Sequence, residues 1–110
     1  MGKAQEALAE YFEDQARQYE AKAAENPYEV QHLLSARSWL KLAAEAHELP
    51  DDHPLVVAVK DQVEDTGVVS RSDGSWQYAI ERYVFDPVPR APSDFLVELA
   101  ALWRRDESER

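Results

Sequence analysis

The hydrophobic positions in the first two thirds of the chain recur at steps of three and four residues, the spacing of one helix face. Residues 4–25 carry one such stripe, formed by Leu8, Tyr11, Phe12, Ala16, Tyr19 and Ala23. Asn26-Pro27 is expected to end this helix, because proline disfavours the helical conformation of the residue before it. The same dipeptide can begin a second helix, with Asn26 as its cap and Glu29 completing a capping box.

The second predicted helix extends to about Glu48 and carries two adjoining apolar stripes. One consists of Val30, Leu33, Leu34, Leu40 and Ala44, and the other of Trp39, Leu42, Ala43, Ala46 and Leu49. A helix that is apolar over so much of its circumference is expected to be central, with partners on two sides. The short connection predicts an antiparallel hairpin with the first helix.

A third helix is predicted after the turn Leu49-Pro50-Asp51-Asp52, with Asp51 or Asp52 as its cap. Val56, Val59 and Val63 are its core-facing candidates, and Thr66-Gly67 is a typical helix end. The β-branched run around Val56 is also compatible with a strand. The predicted helical part of the chain therefore covers residues 4–66.

The pattern changes over residues 68–85, where apolar positions alternate around Asp73-Gly74. This dipeptide is typical of a type I′ hairpin turn, which requires positive φ at both central residues. The alternation predicts a β-hairpin, with one face formed by Val69, Arg71, Trp76, Tyr78 and Ile80.

Three prolines make residues 86–92 an extended connector, and residues 93–106 follow as a C-terminal helix capped by Ser93. The expected fold class is therefore mainly α (α+β), with residues 1–110 as a single domain. It combines an antiparallel helical hairpin, a third helix, a wing-like β-hairpin and the C-terminal helix. The predicted core consists of Phe12, Leu33, Leu34, Trp39, Leu40, Val59, Val63, Trp76, Ile80, Leu99 and Trp103.

Charge and composition exclude several classes of function. The net charge is −10, of which residues 1–66 carry −8, so affinity for a phosphate backbone is expected to be weak. The chain has no cysteine, which excludes disulfides and thiol chemistry and suits the cytoplasm. Glycine occurs only at positions 2, 67 and 74, so no phosphate-binding glycine motif can be written. No apolar run is long enough to span a membrane.

Two groups of residues have the composition of a catalytic or metal site. Glu29, His32 and Ser35 follow one another at three-residue steps, but one helix supplies neither a pocket nor an oxyanion hole. The stretch His47–His53 contains imidazoles and carboxylates at a spacing that matches no metal motif. We therefore expect no catalytic residue, no cofactor and no metal. The candidate interaction patch is acidic and consists of Glu45, Glu48, Asp51, Asp52, Asp61, Glu64 and Asp65.

Residues 63–80 resemble the end of a recognition helix followed by the wing of winged-helix transcription regulators. In that family a helix ends at glycine, a valine-rich strand follows, and an Asp-Gly turn forms the wing tip. The resemblance implies DNA binding, with Arg71, Trp76 and Arg82 as wing contacts. The predicted third helix departs from the pattern, since it carries four acids against Lys60.

The leading hypothesis from the sequence is a non-enzymatic protein-interaction module, a small acidic accessory or regulatory protein of a bacterial or phage system. Its partner is expected to be a protein, with a basic surface favoured by the net charge. Surplus apolar surface on the second or last helix indicates a partner or homodimer interface. Two alternatives stay open: a winged-helix-like DNA-binding regulator, and an acidic DNA mimic that inhibits a nucleic-acid-binding protein.

Overall fold

A computed structural model describes residues 2–70, 74–86 and 90–108, with the side chains of 106–108 left out of that description. Five helices occupy these residues, and the described ranges contain no strand. In chain order they are α1 (Lys3–Glu25), α2 (Val30–His47), α3 (Pro54–Thr66), α4 (Ser75–Val84) and α5 (Pro92–Ser108).

Helices α1 and α2 form the predicted antiparallel hairpin. At one end, the Gln5 side-chain Nε2 donates to the Leu49 carbonyl oxygen at 3.1 Å. Nearer the connection, the ring of Tyr19 lies 6.4 Å from those of both His32 and Trp39. The early part of α1 therefore pairs with the late part of α2, as a short connection requires.

The start of α2 differs from the predicted capping box. Asn26 ends α1, with its backbone N–H donating to Lys22 O at 3.0 Å. The Glu29 N–H then bonds Asn26 O at 3.0 Å and closes a turn before the helix begins at Val30. Asn26 therefore closes the first helix and holds the turn, and no side chain caps α2.

Helix α3 is confirmed, and the alternative strand at Val56 is wrong. Its cap is His53, whose Nδ1 accepts the Leu55 N–H at 3.1 Å, so neither predicted aspartate has that role. Gly67 ends the helix with φ +79°, a left-handed conformation that glycine adopts without steric cost.

The predicted β-hairpin over residues 68–85 is wrong. Residues 68–70, the described part of its first half, are not a strand, and the side-chain amide of Gln62 hydrogen-bonds the backbone of Ser70. Gln62 Nε2 donates to Ser70 O at 3.2 Å, and Ser70 N–H donates to Gln62 Oε1 at 3.1 Å. Its second half is helix α4, preceded by Gly74 at φ +76°. The fold is therefore all-α over the described residues. The β-hairpin on which the winged-helix resemblance depends is not present in them. Arg71, Ser72 and Asp73 lie outside the described residues.

Burial explains why this segment is helical. Trp76 and Ile80 are completely buried, whereas Tyr78 between them is 64% exposed. A strand would place all three side chains on one face, since its side chains alternate with a period of two. A four-residue step on a helix instead brings Trp76 and Ile80 to the core and leaves Tyr78 outside.

One hydrophobic core draws side chains from all five helices. Aromatic rings hold α4 in place, with the Trp76 ring centroid 5.6 Å from that of Tyr11 and 5.4 Å from that of Trp103. The completely or nearly completely buried large side chains are Leu8, Phe12, Trp39, Leu42, Leu55, Val59, Trp76, Ile80, Phe95, Leu96 and Leu99.

The predicted core is correct except on α2. Leu33, Leu34 and Leu40 are exposed, and the stripe that faces the core contains Trp39, Leu42, Ala43 and Ala46. Because α1 packs on that second stripe, only one of the two apolar stripes of α2 is covered.

Candidate functional site

The uncovered side of α2 is an apolar helix face. We define the α2 outer face as Val30, Leu33, Leu34, Arg37, Leu40, Lys41 and Ala44, all of which are exposed. Its four branched aliphatic side chains are between 42% and 62% exposed. Helical spacing gathers them on the side opposite Trp39, and Tyr28 stands fully exposed in the turn before the helix.

Two cations lie among these aliphatic side chains. Arg37 and Lys41 are one helical turn apart and both are exposed. Neither makes an ion pair or hydrogen bond with any residue in the described part of the chain. In a chain of net charge −10, this face is therefore locally basic as well as apolar. The candidate patch predicted from the sequence was acidic and lies elsewhere, although surplus apolar surface on this helix was also expected to form an interface.

The residues of the predicted acidic patch lie on α2, in the turn after it and on α3. Glu45 and Asp52 both act electrostatically on His53, at the turn between α2 and α3. Glu64 lines a groove of about 380 Å³ together with Lys3, Glu6 and Glu10 of α1, and it lines a second recess together with Asp51. Asp51 has a structural contact, because its carboxylate accepts a hydrogen bond from Gln5 Nε2 at 2.8 Å. The exposed patch residues are Glu48, Asp51, Asp52, Asp61, Glu64 and Asp65.

Of the three predicted wing contacts, the two that the structure describes do not share a surface. Trp76 is buried in the core, and Arg82 is exposed on α4, with its guanidinium carbon 6.0 Å from the centre of the Tyr78 ring. Arg71 lies outside the described residues.

A small recess opens beside α2, between α1 and α4. Its volume is about 280 Å³, and its lining consists of Tyr19, Gln31, His32, Ser35, Glu81 and Phe85. The Tyr19 hydroxyl donates to Glu81 Oε1 at 3.5 Å across 62 positions of sequence. Desolvation raises the pKa of Tyr19, and the charge of Glu81 and this hydrogen bond act in the same direction.

The recess is lined by His32 and Ser35 of the Glu29, His32 and Ser35 set noted in the sequence, and Glu29 is not part of its lining. His32 Nε2 lies 2.6 Å from a Glu29 carboxylate oxygen. Ser35 is buried, but its hydroxyl makes no hydrogen bond to His32 or to any other described residue. The arrangement is therefore a carboxylate–imidazole pair of Glu29 and His32 and, next to it, a Ser35 hydroxyl that makes no hydrogen bond within the described residues. No pattern in the sequence indicated that Tyr19 and Glu81 would also line the recess.

The imidazoles of the stretch 47–53 point to different neighbours. His47 Nε2 is 4.0 Å from a carboxylate oxygen of Glu13, while His53 caps α3. Within residues 2–70, 74–86 and 90–108, no three acidic or histidine side chains are grouped so that they can hold a metal ion.

Comparison with known proteins gives no relative for this chain: no protein family, no curated protein and no solved structure matches it. The class is therefore defined by the fold and the surface alone, as an all-α protein with one uncovered amphipathic helix face. None of the described helices has both the length and the apolar composition that crossing a bilayer requires.

Proposed function

We propose that this chain is a non-enzymatic protein-interaction module whose α2 outer face binds a helix of another protein. The partner helix presents an apolar stripe flanked by carboxylates. A small accessory or regulatory role in the cytoplasm fits this proposal, and the absence of cysteine supports that compartment.

The observation that carries the proposal is the exposure of Val30, Leu33, Leu34 and Leu40 on one helix face. Contiguous apolar surface of this kind typically marks an interaction site. Covering the exposed half of each aliphatic side chain contributes about 1 kcal/mol per residue. Anchors at three- and four-residue steps match the pattern by which an amphipathic helix packs on another.

The charge of the face indicates the chemistry of the partner. Arg37 and Lys41 are surrounded by aliphatic side chains, and a partner that covers the face also excludes water from these two cations. Burying an unpaired charge is costly, so the partner must supply carboxylates opposite them. An acidic amphipathic helix meets both requirements.

A second copy of this chain meets them less well. The α2 outer face itself has no carboxylate that a second copy could place opposite Arg37 and Lys41. In a twofold contact centred on this face, Arg37 would also approach its own symmetry mate. The heterologous partner is therefore the occupant we propose.

The test is a selection from a displayed library of helical peptides about 20 residues long. Leucine is fixed at helical spacing, and the flanking positions are randomised among Glu, Lys, Gln and Ala. We expect enrichment of peptides with Glu beside the leucine stripe. Binding should fall at least about tenfold with Leu34→Glu, because a carboxylate then lies within the apolar contact.

Val57→Glu is the matched control, because Val57 on α3 is 49% exposed and Leu34 is 48% exposed. It should leave the affinity unchanged. Failure to enrich any peptide, or equal loss of binding with both variants, would overturn the proposal. Sedimentation of the chain as a dimer that Leu34→Glu dissociates would also overturn it, by showing that a second copy covers the face.

A further inference from the structure

The recess between α1, α2 and α4 has features that neither the fold nor the proposed docking surface uses. Ser35 is only 5% exposed and lines this recess, but its hydroxyl has no hydrogen bond to any residue the structure describes. The hydroxyl oxygen itself is not buried, so water or a ligand in the recess can reach it and form the hydrogen bond it lacks. The recess therefore contains a polar group that is available to a ligand.

The opposite wall is supplied by Glu81 of α4. Among the residues that the structure describes, its carboxylate accepts one hydrogen bond, the long 3.5 Å one from Tyr19, and it is exposed, so acceptor positions remain open. The second carboxylate nearby, Glu29, is already against His32. The recess consequently favours a group that carries positive charge and donates several hydrogen bonds.

The aromatic side chains of the recess indicate which kind of cationic group fits it. Lys22 lies over the Tyr19 ring, with its Nζ 4.7 Å from the ring centre, so that ring already has a cation. Phe85 is 57% exposed at the rim, and its face is free for a planar cation to stack on. Arginine-type guanidinium groups are planar, so they can stack on an aromatic ring and still donate N–H groups in the plane, whereas an ammonium group has no flat face to stack.

We propose that this recess binds a guanidinium group, carried by an arginine side chain of a protein or by a small guanidine. Glu81 pairs with the charge, Ser35 accepts one N–H, and Phe85 covers one face of the plane. A volume of about 280 Å³ accommodates such a group with its alkyl stem. The proposal does not depend on the α2 outer face.

The test is an NMR titration of the full chain with N-acetyl-arginine amide, beside the neutral isostere N-acetyl-citrulline amide. We expect the arginine probe to shift the backbone amides of Gln31, His32 and Ser35. The citrulline probe should bind at least about tenfold more weakly, because it lacks the charge-assisted hydrogen bond to Glu81.

Two variants of equal charge locate the site. Glu81→Gln should weaken binding of the arginine probe at least about tenfold, whereas Asp61→Asn on the exposed side of α3 should leave it unchanged. Methylguanidinium and a Gly-Ser peptide with a single arginine distinguish the source. Tighter binding of the peptide indicates a protein ligand, and binding of methylguanidinium at equal or higher affinity indicates a small molecule.

Equal affinity for the arginine and citrulline probes would overturn the proposal. Shifts spread over the acidic surface, and lost equally in Glu81→Gln and Asp61→Asn, would also overturn it, because they would indicate general charge attraction. Unchanged amides at Gln31, His32 and Ser35 throughout the titration would have the same consequence.

Discussion

Tyr83 of α4 stacks on Phe95 of α5, with ring centroids 4.2 Å apart and ring planes inclined by 21°. The Tyr83 hydroxyl also donates to the backbone oxygen of Arg90 at 3.3 Å. This pair ties α4 to the start of the last helix. Removing either ring should therefore reduce the contribution of the other ring to the stability of the fold.

We expect Tyr83→Leu and Phe95→Leu to be non-additive, with a coupling of about 1 kcal/mol in the free energy of unfolding. Urea denaturation of the two single variants and the double variant measures it. Tyr83→Phe is the control, since it keeps the ring, removes the hydrogen bond to Arg90 and should cost about 1 kcal/mol or less. Additive costs would contradict a direct contribution of the stacking.

Sequence periodicity was sufficient for α1 and α5, because each carries a single apolar stripe, whereas for α3 it left a strand around Val56 as an open alternative. Periodicity led to the wrong prediction for residues 75–84, because Trp76 and Ile80 are four positions apart. That step is compatible with both a strand face and a helix face. Asp73-Gly74 then favoured the hairpin. What decides between the two is the burial of Trp76 against Tyr11 and Trp103, contacts that join distant parts of the chain.

The candidate sites were less accessible from the sequence for a related reason. Helix α2 has two apolar stripes, and no local rule says which of them α1 will cover. Leu34 and Leu40 therefore entered the predicted core although they lie on the open face. The recess depends on Tyr19 meeting Glu81, and that contact exists only once α4 is a helix packed beside the hairpin.

The helical state of α4 makes a direct prediction about two neighbouring side chains. Ile80→Ala removes a completely buried side chain and should cost about 2–5 kcal/mol. Tyr78→Ala removes an exposed one and should change the free energy of unfolding by about 0.5 kcal/mol or less. Thermal or urea unfolding distinguishes the two. Similar large costs for both variants would indicate that they share a buried face, as in a strand.

The space around Gly2 is filled by the side chain of Gln5. A Cβ at position 2 would lie 2.2 Å from Gln5 Oε1, and Gln5 is held by hydrogen bonds to Leu49 and Asp51. Backbone strain has no part in this, because Gly2 has φ −95°, which any residue adopts. Gly2→Ala should therefore cost about 1–2 kcal/mol through the steric clash.

The Gln5→Ala background separates this clash from other effects. With the amide removed, Gly2→Ala should cost almost nothing, so the two substitutions are strongly coupled. Chemical denaturation of the wild-type chain, both single variants and the double variant gives that coupling. An equal cost of Gly2→Ala in both backgrounds would show that Gln5 is not the residue in the way.

The histidine cap of α3 makes stability depend on pH. His53 accepts the Leu55 N–H through Nδ1, which requires an unprotonated nitrogen at that position. Desolvation lowers the pKa of His53 below its ordinary value of 6.5, and it outweighs the opposite effects of Asp52 and Glu45. Below pH 6.5 the unfolded chain therefore takes up a proton at this residue more readily than the folded chain does.

The contribution of His53 to stability is thus complete above its ordinary pKa and declines as the pH falls below it. His53→Asn keeps a capping oxygen but removes the titration, so the variant should lose less stability than the wild-type chain between neutral and mildly acidic pH. Urea unfolding across that range measures the difference. Parallel pH profiles for the two chains would show that His53 does not link protonation to folding.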